Sequence, residues 1–92
     1  MIGIPQEFSL SQNYPNPFNP STLIEFALPF DSKVELKLYD MSGRESAVIK
    51  SEFMSAGYHS VVFNSTGLPS GTYFYRLKAG DQSAVRKMTL LK

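Results

Sequence analysis

His59 is the only histidine in a chain of 92 residues that contains no cysteine. Acid–base and nucleophilic chemistry must therefore be sought among one imidazole, eight carboxylates and the hydroxyls. Disulfides, a thiol nucleophile and metal sites built from paired histidines or thiolates are excluded. No serine lies in the Gly-x-Ser-x-Gly context that exposes a nucleophile, so a Ser–His–Asp set has no local support. His59 follows Gly57 at the start of a strand and reads as a surface-edge side chain. Glu25 and Glu35 alternate with apolar residues and belong on wet strand faces, as candidates for neighbours across a sheet. A hydrolytic pair of carboxylates also needs a cleft, which a small sandwich scarcely offers.

Binding chemistry fares little better. Ser42-Gly43-Arg44 and the Gly67–Gly71 stretch lack phosphate-loop spacing, and no helix follows them. A calcium loop of alternating aspartates is missing. Tyr73, Phe74, Tyr75, Arg76 and Lys78 interleave rings and cations like a stacking platform. Two of those three rings should face a core, however, and a formal charge of +1 is far from that of a nucleic-acid binder. Asn64-Ser65-Thr66 matches a glycosylation acceptor but reads better as a turn. The residues thus point away from an enzyme and call for no cofactor, no metal and no nucleic-acid partner.

What positions these residues is a period of two. Ile24, Phe26 and Leu28 alternate with Glu25 and Ala27, and Val34, Leu36 and Leu38 with Glu35, Lys37 and Tyr39. Val61 and Phe63, then Tyr73, Tyr75 and Leu77, then Ala84, Met88 and Leu90 continue the pattern, with Arg86 interrupting the last set. Such runs are half-buried antiparallel strands. Asp40-Met41-Ser42-Gly43-Arg44 and Ala79-Gly80-Asp81-Gln82 are hairpin turns, Ala56-Gly57 is another break, and residues 64–71 form linked turns. A helix over Glu45 to Met54 is rejected, because it would carry Ser46, Val48, Ile49 and Ser51 with no cap. With a short strand near Phe8 to Gln12, the count is about seven strands at the spacing of an immunoglobulin-like antiparallel β-sandwich. One domain of this size can fold on its own core.

Asn13-Tyr14-Pro15-Asn16-Pro17-Phe18-Asn19-Pro20-Ser21 cannot be an interior strand, because its three prolines remove ladder donors. The expectation is a rigid loop laid on the sandwich, with Phe18 or Tyr14 capping the core; the alternative is a polyproline-type ligand for a partner groove. No apolar run is long enough to span a bilayer, and Met1-Ile2-Gly3-Ile4 lacks the regions of an export signal. The reading therefore takes residues 1–92 as one domain from a longer protein, with residues 1–5 a linker or expression remnant.

Charge is unevenly spread. Residues 76–92 hold Arg76, Lys78, Arg86, Lys87 and Lys92 against Asp81, whereas the preceding residues hold four cations and seven acids. Cations near the last hairpin discourage unwanted strand pairing or mark an anionic partner. With Tyr73 and Tyr75 inward, Phe74 faces outward between cations, either as a lone apolar residue or as part of a docking patch.

Taken in order, Tyr14-Pro15-Asn16-Pro17-Phe18-Asn19-Pro20, Leu38-Tyr39-Asp40 with Gly43-Arg44, Gly57-x-His59, Gly67-Leu68-Pro69-Ser70-Gly71-Thr72-Tyr73 and Lys87-Met88-Thr89-Leu90-Leu91-Lys92 resemble the type A C-terminal sorting domains of the type IX secretion system. A related resemblance is to immunoglobulin-like domains of flagellar hook-capping proteins. The first resemblance implies a seven-stranded sandwich at the end of a large exported protein of Bacteroidetes and allied phyla. It implies folding in the periplasm, recognition by an outer-membrane translocon, and then display or release at the surface, often with removal by a sortase that joins the cargo to an anionic lipopolysaccharide. The family's Pro-x-Gly-x-Tyr motif falls on Pro69, Gly71 and Tyr73, and its terminal strand on Lys87, Met88, Leu90 and Lys92. Two further expectations follow: that the last strand offers its backbone to a receptor edge or fits beside one with Met88 and Leu90 inward, and that edge strands permit a weak dimer. The competing classes are a structural interaction module and a small carbohydrate-binding sandwich.

Overall fold

The computed structural model describes residues 3–92; the expectation about Met1 and Ile2 lies outside the described residues. Seven strands follow one another: β1 (Ser9–Leu10), β2 (Ser21–Leu28), β3 (Ser32–Tyr39), β4 (Glu45–Met54), β5 (Gly57–Asn64), β6 (Gly71–Ala79) and β7 (Gln82–Leu90). They form two antiparallel sheets, ordered β1-β2-β5 and β4-β3-β6-β7, so the chain is an all-β sandwich. The segment tested above as a helix is β4.

In the constant-type immunoglobulin arrangement the fourth strand belongs to the sheet of the first, second and fifth, at its edge beside the fifth. Here β4 stays beside β3, in the other sheet. The cause is local. Asp40 Oδ1 accepts the amides of Ser42 and Arg44, and the Asp40 amide bonds the Arg44 carbonyl, which ties the β3–β4 turn into a tight hairpin. Two register shifts against β3 give β4 extra residues and blur its alternation of burial.

The core lies where the two inner faces meet. Ile24, Phe26 and Leu28 of β2 oppose Val34, Leu36 and Leu38 of β3, Tyr73, Tyr75 and Leu77 of β6, and Met88 and Leu90 of β7, all buried. Phe63 joins them, and Phe18 packs edge-on against it with ring centroids 6.3 Å apart. Of the two candidate caps, Phe18 is 3% exposed and Tyr14 is 78% exposed, so Phe18 closes the core. The proline segment is a packed loop, and the peptide bonds before Pro15, Pro17 and Pro20 are cis.

β6 and β7 are joined through Gly80 and Asp81. Gly80 has φ of 59° and among the described residues none other than glycine has a positive φ, which matches a type II′ hairpin turn.

Candidate functional site

Two histidine-centred and carboxylate-centred possibilities resolve first. His59 is half-buried on β5, stacked on Phe26 at 5.5 Å, and its Nε2 lies 2.7 Å from the Ser55 carbonyl. A carbonyl only accepts, so that nitrogen is the donor and is not free to take a proton from a hydroxyl. Glu25 and Glu35 are not neighbours across a sheet: Glu25 is on β2 and pairs with Ser60, whereas Glu35 is on β3 and pairs with Ser51 and Lys78. Because the strand neighbours of each are buried between the sheets, the two carboxylates face opposite sides of the sandwich. Among the described residues no group of three or more His, Asp or Glu side chains is placed to hold a metal ion. The exposed rings Tyr14, Phe30, Phe53 and Tyr58 sit on separate elements.

The terminal hairpin is different, because much of the molecule converges on it. Its register runs unbroken from Gly71 opposite Leu90 to Ala79 opposite Gln82. Tyr73 is buried and donates from its hydroxyl to the Pro69 carbonyl at 2.6 Å. A tyrosine opening the sixth strand and bonding the backbone four residues upstream is a tyrosine corner. That geometry accounts for the spacing of Pro69 and Tyr73. Between them Gly71 has φ of 154°, where a side chain is disfavoured. Tyr75 is fully buried; its hydroxyl donates to the Ser11 carbonyl at 2.7 Å and accepts the Asn13 amide at 2.8 Å. Burial pushes its pKa up, against smaller opposing effects of the Asn13 amide and the Arg86 charge.

Behind Tyr75 the proline loop is held by its own polar cluster. Asn13 Nδ2 donates to Thr22 Oγ1 at 3.0 Å, Thr22 Oγ1 donates to the Pro15 carbonyl at 2.8 Å, and Gln12 Nε2 donates to Asn13 Oδ1 at 2.7 Å. No buried side-chain polar atom among the described residues lacks a partner. This satisfaction makes a buried polar cluster tolerable next to an apolar core.

From that base the loop reaches the outer edge of β7. Phe18 runs parallel to Leu90: its amide donates to the Thr89 carbonyl at 3.0 Å, and its carbonyl accepts the Leu91 amide at 3.1 Å. Asn16 Oδ1 accepts the Thr89 amide at 2.9 Å, Gln12 Nε2 donates to the Lys87 carbonyl at 2.6 Å, and Arg86 Nε donates to the Leu10 carbonyl at 2.9 Å. The expectation that the last strand offers its backbone to a receptor edge is corrected over Lys87–Leu91, where the Lys87 and Thr89 carbonyls and the Thr89 and Leu91 amides are already occupied. Toward the turn, the outward groups of Ser83 and Val85 have no such cover among the described residues. The edges left for pairing between copies are mainly β4 and β5.

The structure therefore sorts the residues singled out by sequence into two sets. Tyr73, Met88 and Leu90 are buried, and Pro69, Gly71, Lys87 and Lys92 are exposed. Sequence reasoning missed Gln12, Asn16 and Arg86 as the side chains that close the β7 edge. Nothing in the local pattern distinguishes Gln12 and Asn16 from solvated residues, whereas Arg86 sits within β7 at a position that interrupts the inward alternation of Ala84, Met88 and Leu90.

A family model described as "Secretion system C-terminal sorting domain" matches residues 12–90. None of the curated proteins compared with the chain matches it.

Proposed function

The chain belongs to the family of type IX secretion system C-terminal sorting domains, and on that premise we propose that it is a non-catalytic address. In this reading it folds in the periplasm and directs a cargo joined to its N-terminal side to an outer-membrane translocon. The cargo then reaches the cell surface or the medium, and a surface sortase that removes the domain completes the route. The observation that carries the reading is the match over residues 12–90, which spans the motifs that build the sealed terminal ribbon. An address needs an ordered shape, which the buried core and the bonded terminal hairpin supply.

The proposed signal residues divide by role. Tyr73, Met88 and Leu90 set the shape from inside, Pro69 and Gly71 hold the corner, and Lys87 and Lys92 are the charges a receptor can meet. Deleting Lys87–Lys92 would take Met88 and Leu90 out of the core, so point changes separate signal from fold more cleanly than truncation.

The test fuses residues 1–92 behind a periplasmic reporter in a type IX-competent host. The reporter is expected outside the outer membrane, and retention in the periplasm with a folded, protease-resistant domain would overturn the reading.

A further inference from the structure

The two outer faces of the sandwich have opposite chemistry. On the outer face of the four-stranded sheet lie Lys33 and Lys37 of β3, Arg76 and Lys78 of β6 and Lys87 of β7, set against Glu35 and Glu45. Lys37 is held by Glu45 at 3.3 Å, while Lys33, Arg76, Lys78 and Lys87 make no ion pair among the described residues. The outer face of β2 and β5 carries Glu25 as its one charged side chain, among Leu23, Tyr58 and Val62.

The cationic face also has relief. Phe74 lies half-buried between Tyr39 on one neighbouring strand and Lys87 on the other. Beside it an open groove of about 320 Å³ runs between the β3–β4 turn and β7, lined by Tyr39, Met41, Phe74, Arg76 and Val85, and by Asp40, whose carboxylate is engaged by the Ser42 and Arg44 amides. We propose that this face docks an acidic polypeptide segment that places one bulky apolar side chain in the groove, with its carboxylates on Arg76, Lys78 and Lys87. The inference rests on the sorting reading for the event it serves, and adds to it the chemistry of the partner.

Charge complementarity selects an anion, since unpaired cations on a flat sheet attract and orient one at little desolvation cost. The groove selects a polypeptide. A flat anionic lipid surface would leave the slot at Phe74 unfilled, because that ring lies half-buried between its strand neighbours while Met41 and Val85 stand exposed at the groove's sides. An anionic glycan has no side chain to fill an apolar slot. Strand addition along β7 is hindered over Lys87–Leu91 and open only over the short Ser83–Val85 stretch, which leaves the face as the larger part of the terminal hairpin a partner can cover.

The probe is a capped synthetic peptide of alternating Asp and Glu around a central Phe, titrated into residues 1–92 and followed by amide chemical shifts. Shifts are expected at Tyr39, Phe74, Arg76, Val85 and Lys87 and not at Leu23 or Val62. Affinity should fall about tenfold in the Arg76→Glu, Lys87→Glu double variant, and fall again with added salt. Shifts elsewhere, or none with this peptide while oligogalacturonate or phosphatidylglycerol vesicles bind the face, would overturn the proposal. In the export assay the same double variant, folded by its thermal transition, should pass less than a tenth of the wild-type reporter, and undiminished export would overturn it. A wild-type domain that exports nothing would instead sink the sorting reading, with the peptide titration still deciding this one.

Discussion

The two lateral sides of the sandwich solve the same problem in opposite ways. On one side β7 ends the four-stranded sheet, and the chain from Leu10 to Phe18 closes over it with hydrogen bonds to Arg86, Lys87, Thr89 and Leu91. On the other side β4 and β5 are the free edges of the two sheets, and Phe53 (68% exposed) and Val62 (69% exposed) stand in solvent. An uncovered strand edge invites pairing with another chain. The protein spends its proline loop on the edge nearest its terminus and leaves the other pair to bulges and short polar residues. Backbone cover is thus concentrated beside the proposed address.

That contrast can be broken most severely at Phe18. Phe18→Ala removes the ring that caps the core against Phe63 and should cost about 3–5 kcal/mol in denaturant unfolding. Val62→Thr on the open side should stay within about 0.5 kcal/mol, as exposed changes usually do. Equal losses at the two positions would erase the distinction between the sides.

Tyr75→Phe comes next. It deprives the Ser11 carbonyl of its donor and the Asn13 amide of its acceptor, both next to the core, and should cost about 2–3 kcal/mol. The phenol pKa is raised in the folded state by burial. Its contribution is therefore complete below the unfolded value near 10 and lost as pH rises through the higher folded value. Unfolding followed from neutral to alkaline pH should show that loss in the wild type and a flatter limb in the variant.

The smallest effect belongs to the β3–β4 hairpin. The Ser42 hydroxyl first, and then the Arg44 amide, hold the Asp40 carboxyl below its ordinary pKa. A lowered folded pKa gives stability present above the unfolded value and lost as pH falls through the folded one. Asp40→Asn should flatten the acid limb of a stability profile slightly and leave the β7 side untouched.

Much of this was legible from residues. Alternation placed Ile24, Leu36, Tyr75 and Leu90 on inner faces, and the glycine turns marked the hairpins, because both signals are local. The sheet to which β4 belongs was not legible, since the same alternation suits either partner. Glu25 and Glu35 were open as neighbours for that reason, and the sheet assignment separated them. The choice between Tyr14 and Phe18 turned on the Phe18–Leu90 bridge, which joins residues far apart in the chain. Pro69 and Tyr73 stood out as a motif, but only the hydroxyl-to-carbonyl bond shows what their spacing achieves. The β7 seal had little signature: Arg86 broke the inward alternation of its strand, but Gln12 and Asn16 act through backbone groups of distant residues.

Amide hydrogen exchange along β7 tests the seal most directly, because one strand supplies both the covered and the uncovered positions. Thr89 and Leu91 should exchange nearly as slowly as core amides, at rates set by opening of the whole domain, while the outward amides of Ser83 and Val85 exchange orders of magnitude faster. Thr89 and Leu91 exchanging as fast as Ser83 and Val85 would contradict the account.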